Sequence, residues 1–210
     1  MKKYIIAIIA LFCITSTSTV MAQRGLVKLN AGYNVGLPLG NFNSNYVSNA
    51  SPRGFMGDLS LGLNNKYSVG IGFGFQDFYQ KYPRAVYDLA PNQQISAVLS
   101  NSIQVVPVLA KFTYTPFLGT TKLIQPYASV GAGISFVTYN QYLGEFSSDN
   151  TSGGKFSAMA DAGIDLPFSR YNSNVAAKIG VSYNYTKFGM SDAANINMVG
   201  IHAGLAFQLH

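Results

Sequence analysis

The stretch Tyr67-Ser68-Val69-Gly70-Ile71-Gly72-Phe73-Gly74-Phe75-Gln76 decides how this chain folds. A large apolar side chain stands at every second position, and Ser, Gly or Gln stands between. In an extended strand successive side chains point to opposite faces, so a period of two writes one greasy face and one bare, polar face. A helix would repeat its apolar residues at three and four instead. The glycines are not a phosphate-cradling loop, because that chemistry needs a strand, a glycine turn and then a helix N-terminus.

The same alternation recurs on both sides of this stretch. It runs through Leu26–Val35, Phe55–Leu63, Val106–Tyr114, Ala128–Phe136, Phe156–Leu166, Val175–Tyr185 and Met198–Leu209. Eight segments of about ten residues each match the length of a tilted membrane-crossing strand. The connectors alternate as well. Leu37–Arg53, Gln80–Asn101, Thr138–Lys155 and Gly189–Ile196 are long and polar, whereas Asn64–Lys66, Pro116–Lys122 and Pro167–Asn174 are short. Strict alternation of long and short connections is what an up-and-down barrel needs when its two rims face different compartments. The expected fold is therefore all-β: an eight-stranded antiparallel up-and-down transmembrane β-barrel.

Volume decides which face is outside. A soluble, lipocalin-like barrel would have to hold dozens of Val, Ile, Leu, Phe and Tyr side chains inside eight strands, which enclose little room. Its surface would be mostly Gly, Ser, Ala and Asn with few charges, a poor surface in water. With the faces inverted, small residues fill the lumen and the bulky ones meet lipid. Closure then leaves no unpaired backbone edge in hydrocarbon. Composition agrees: 48% of the 210 residues are hydrophobic, with 14 Tyr, 14 Phe and only 10% charged residues, against about 25% charged in average soluble domains.

Residues 1–22 read as a signal peptide preceding a barrel domain over 23–210. Lys2 and Lys3 precede an apolar run from Tyr4 to Ile14, and Val20-Met21-Ala22 offers a cleavage point before Gln23. The run is too short for a membrane helix, which needs about 20 apolar residues. Cys13, the chain's one cysteine, leaves with this segment, so thiol and disulfide chemistry leave too. Removal also takes Lys2 and Lys3, lowering the net charge from +6 to +4. The remaining basic residues are scattered, which argues against a nucleic-acid partner.

Two motifs carry a family resemblance. The run Ile103-Gln104-Val105-Val106-Pro107-Val108-Leu109-Ala110-Lys111-Phe112 resembles the "IP-apolar-apolar-x-K-aromatic" strand of the PorT-like outer-membrane β-barrel family, with Val106 where Ile is commoner. Gln125-Pro126-Tyr127-Ala128-Ser129-Val130-Gly131-Ala132-Gly133 resembles that family's "P-Y-x-x-x-G-x-G" strand. The resemblance implies an outer-membrane protein of a Gram-negative bacterium, of the small OmpA- or OmpX-like size. Some members of the family serve secretion or gliding machinery.

The lumen parity of these strands carries Lys28, Lys111 and Lys178 and, opposite in sign, Asp58, Asp161 and Asp165. Charges in a narrow, poorly hydrated space must pair, so a structural ion network is expected rather than a proton path. If the Pro167–Asn174 connection is symmetric, Lys178 falls opposite Gly163 and diagonal to Asp161 and Asp165. His202, on the same parity, reads as a hydrogen-bonded filler. One histidine is too few for a metal site, and neither a cofactor nor a catalytic group is indicated. Phe42, Tyr46, Tyr79, Tyr82 and Tyr87 lie in the long connectors as candidate contact residues. The reading is a plugged, monomeric barrel bathed in outer-membrane lipid, whose four loops serve adhesion, envelope integrity or a membrane complex with another envelope protein or surface ligand. The alternatives are a small pore or secretion accessory and, below that, a lipid-modifying enzyme.

Overall fold

A computed structural model describes residues 27–90, 93–117, 123–144, 146–169, 174–190 and 193–209. The segment assigned to the signal peptide lies outside these residues. Eight strands follow one another: β1 (Val27–Leu39), β2 (Ser51–Gly62), β3 (Tyr67–Ala90), β4 (Gln93–Tyr114), β5 (Gln125–Leu143), β6 (Phe146–Pro167), β7 (Val175–Met190) and β8 (Ala193–Leu209). Each pairs antiparallel with the next, and β1 pairs with β8, so the sheet closes on itself. At the closing seam Gly32 stands opposite Gly204. A Cβ on Gly32 would lie 2.8 Å from the Ala203 carbonyl oxygen, so the close approach of β1 to β8 depends on the missing side chain.

The period-two pattern sorts the two faces as the volume argument requires. Ile71, Val130, Phe136, Phe156 and Ile201 are each at least half exposed on the outside of the wall. Asp58, Lys111, Asp161, Asp165, Lys178 and His202 are buried inside it. In hydrocarbon every strand finds its backbone partners in its neighbours, which is why a closed sheet and not an open one is stable there.

The long connectors are shorter than the sequence suggests. Most of Gln80–Asn101 and Thr138–Lys155 is strand: β3 and β4 stay paired up to Ala90 and Gln93, and β5 and β6 up to Leu143 and Phe146. Polar residues mark where these strands leave lipid, not where they end, because backbone pairing continues in water. The first connector differs. Gly40, at φ 61°, turns the chain out of β1 into a single helical turn, α1 (Gly40–Asn45), a backbone conformation that glycine adopts without a Cβ penalty.

The β6–β7 register also departs from the symmetric expectation. Lys178 pairs directly with Asp165, and Gly163 faces Gly180. Pro167 stays in the ladder opposite Ala176, and the Phe168 N–H donates to the Val175 carbonyl, so the turn lies one residue later than a loop centred on Pro167–Asn174. The shift sets an ammonium against a carboxylate instead of against a glycine.

Candidate functional site: the charged lumen and the apolar mouth

Alternation delivers polar side chains from six strands into one narrow space near the rim where β1 begins and β8 ends. Lys111 on β4 bridges two carboxylates, with its Nζ 2.9 Å from Asp58 Oδ1 on β2 and 3.8 Å from Asp161 Oδ2 on β6. Asn30 donates from Nδ2 to Asp58 Oδ2 at 2.6 Å. Asp161 also accepts from Ser129 Oγ at 3.2 Å and from the Tyr127 hydroxyl at 3.4 Å. Asp165 in turn bridges two lysines, Lys28 at 2.7 Å and Lys178 at 3.3 Å. Three ammoniums thus meet three carboxylates in ties that span the lumen, β4 to β2, β4 to β6 and β1 to β6. Beside them lies a cavity of about 20 Å³ lined by Lys28, Asp58, Lys111, Asp165 and Lys178 among others, room for one water or two.

Tyr127 joins the two halves and is the residue that charge counting misses. Its ring lies 3.2 Å beneath the Lys178 ammonium, a cation–π contact. Its hydroxyl shares a 2.9 Å hydrogen bond with His202 Nε2, which itself lies 3.5 Å from Asp161 Oδ1. The signal was legible: Tyr127 has the same parity as Ser129 and Gly131 on a strand whose odd residues face inward. His202 Nδ1 is buried without a hydrogen-bond partner among the described residues. Among those residues no group of three or more His, Cys, Asp or Glu side chains is placed to hold a metal.

Above this layer the lumen turns apolar. Phe78 on β3, Ile103 and Val105 on β4, Val137 and Tyr139 on β5, Phe188 on β7 and Ile196 and Met198 on β8 all point inward and are buried. Phe42, Tyr46 and Val47 from α1 and the residues after it descend among them. Phe42 sits 5.3 Å edge-on to Phe78, and Tyr46 meets Tyr139 and Phe188 at 5.7 and 5.5 Å, also edge-on. Such crossings suit the ring quadrupole.

This overturns part of the loop reading. Phe42 and Tyr46 are 0% and 6% exposed, so neither is free to touch a partner. Tyr82 is a strut: its hydroxyl donates to the Tyr46 carbonyl at 3.1 Å, as does Asn101 Nδ2. Tyr79 is 44% exposed, and the Arg53 guanidinium lies 5.9 Å from its ring centre. The Tyr87 side chain lies outside the described residues.

The closed eight-stranded architecture is shared with solved proteins. The chain is similar to Ail, the attachment invasion locus protein of Yersinia pestis, at 15% identity and a TM-score of 0.51, over 88% of this chain and 99% of that one. It is similar to Neisserial surface protein A at 14% identity and a TM-score of 0.50, over 88% and 97%. The fold is that of small bacterial outer-membrane barrels. With its lipid-facing belt of Val, Ile, Leu and Phe, the chain is an outer-membrane barrel by architecture. No family model and no curated protein matches it.

Proposed function

We infer that this protein is a non-conducting, monomeric outer-membrane barrel whose work is done outside the membrane, by the β3–β4, β5–β6 and β7–β8 hairpins and the strut-supported first connector. One observation carries the reading: the apolar cluster built around Phe42 fills the lumen beneath these hairpins, while the ion pairs fill it near the opposite rim. An eight-stranded barrel is filled by its own side chains, and wide aqueous channels need about sixteen strands. With the lumen occupied at two levels, the surface left for recognition is the outer one, where Tyr79 and Arg53 are presented together. The partner is another envelope protein or a surface ligand, and no catalytic group belongs to the scheme. Export by residues 1–22 and kinship with the PorT-like family, carried by the Val106-Pro107 and Pro126-Tyr127 motifs, are parts of the same reading.

Purified barrel in planar lipid bilayers tests it. A silent bilayer, together with recovery of one envelope component when the tagged barrel is captured from its native membrane, is the expected result. Uniform conductance steps that survive in protein of verified purity would overturn it in favour of a pore.

A further inference from the structure

The hydrocarbon belt of the β2–β3 wall ends at a stacked pair. Phe55 and Phe75 face each other across the two strands with ring centres 5.8 Å apart, and below them Leu59, Leu61, Ile71 and Phe73 are exposed to lipid. From Tyr67 to Phe75 β3 runs nine residues, matching the roughly 9–11 that cross a bilayer. The next outward positions stand at headgroup depth, and their character changes at once: Arg53 on β2, then Asp77, Tyr79 and Lys81 on β3.

Arg53 is held in place without being used up. Its Nη1 donates to Asp77 Oδ2 at 3.3 Å, and its guanidinium lies 5.9 Å from the centre of the Tyr79 ring. The Arg53 side chain is nonetheless 64% exposed, and a guanidinium has several N–H donors beyond the one that Asp77 takes. Lys81 is exposed one outward position beyond Tyr79. The next acidic residue of β3, Asp88, comes seven residues past Lys81. That is about 23 Å of strand, well beyond the roughly 8 Å over which charges act in physiological salt. β4 contributes no acidic residue. At headgroup depth two cations therefore face one carboxylate.

We propose that Arg53, Tyr79 and Lys81 form a binding site for the phosphorylated headgroup of an outer-leaflet glycolipid, whose acyl chains lie on the Phe55–Phe75 face below. The proposal rests on the reading that the hairpins face outward, and it gives the surface ligand of that reading a chemical class. The spacing of the two cations selects the class. Lys81 is four residues beyond Asp77, the partner of Arg53. Four residues are about 13 Å of strand and, at the usual tilt, about 10 Å of height. The single phosphate of a phospholipid reaches one of these cations, whereas a glycolipid with phosphates on two sugars reaches both. Tyr79 offers an amphipathic ring between them. On β4, Gln104 opposite Asp77 and Ser102 opposite Tyr79 extend the polar surface toward the sugar hydroxyls.

Native mass spectrometry of the barrel, released from detergent micelles that carry diphosphorylated lipid A, tests the site. A parallel sample carries the same glycolipid with both phosphates removed. The barrel should retain the diphosphorylated form, and the double variant Arg53→Gln, Lys81→Gln should lower that retention about tenfold or more. Lys66→Gln, which removes an exposed lysine at the opposite rim, should leave it unchanged. Equal retention of the phosphate-free glycolipid would overturn the proposal, as would a double variant that retains as much as Lys66→Gln. Neither result depends on conductance or on capture of a partner protein, so either would leave the non-conducting barrel of the preceding section standing.

Discussion

Replacing Lys111 with methionine keeps most of its volume and removes the one ammonium that holds Asp58 and Asp161 together. At an effective dielectric of about 20, unit charges 2.9 Å and 3.8 Å apart attract by roughly 6 and 4 kcal/mol. Desolvating each ion offsets several kcal/mol of that, so the intact bridge adds little net stability. Breaking it is different. The side chains of Asp58 and Asp161 are 6% and 0% exposed, and two uncompensated carboxylates would remain. Hydrogen bonds from Asn30, Ser129 and Tyr127 soften the loss without supplying charge. Removing one partner of a buried pair costs about 3–5 kcal/mol, and that is the expected effect of Lys111→Met. The triple variant Lys111→Met, Asp58→Asn, Asp161→Asn carries no orphaned charge and should recover most of the loss. Urea titration in lipid vesicles measures both. The chain has no tryptophan, so far-ultraviolet circular dichroism is the readout. Equal midpoints for the single and triple variants would refute the claim that pairing, rather than the lysine's bulk, holds this layer together.

Asp165 gives the mirror case: Lys178→Met leaves Asp165 with Lys28 at 2.7 Å, so its penalty in the same titration should be smaller than that of Lys111→Met, and a larger one would contradict the shared bridge. Phe42→Ala empties a fully buried site in the apolar mouth and should cost about 3–5 kcal/mol, whereas an exposed loop contact would lose almost nothing. A Cβ at Gly180 would lie 2.7 Å from His202 Nε2 and crowd the Tyr127 hydroxyl. Gly180→Ala should therefore cost about 1–3 kcal/mol and shift the His202 ring resonances in NMR. Ile71, 60% exposed on the lipid face, should cost about 2–4 kcal/mol as Arg in vesicles.

Most of the architecture could be read from residue order because the two solvents of a barrel wall differ so sharply. Gly70, Gly72 and Gly74 against Val69, Ile71 and Phe73 state both strand and facing, and the structure keeps that parity. The site was legible less evenly. Lys28, Lys111 and Lys178 could be assigned to the lumen one strand at a time, but their partners could not, since a lysine reaches several carboxylates and a two-residue change of register chooses among them. Lys178 against Asp165 is such a choice. Phe42 and Tyr46 looked exposed because they lie in a polar connector, where local composition says nothing about a cavity that the chain can fold back to fill. The clue was present in Phe78, Ile103, Val137 and Phe188, apolar residues on lumen parity beyond the lipid belt.

Residue order by itself determined the strand count, the antiparallel path and the side of the wall that meets hydrocarbon, because each follows from a local period of two and from chain reach. Closure decided what remained: which carboxylate each lysine holds, and that an aromatic from the first connector seals the mouth. These depend on distances across the lumen between residues far apart in the chain, and such distances exist only once β1 has met β8.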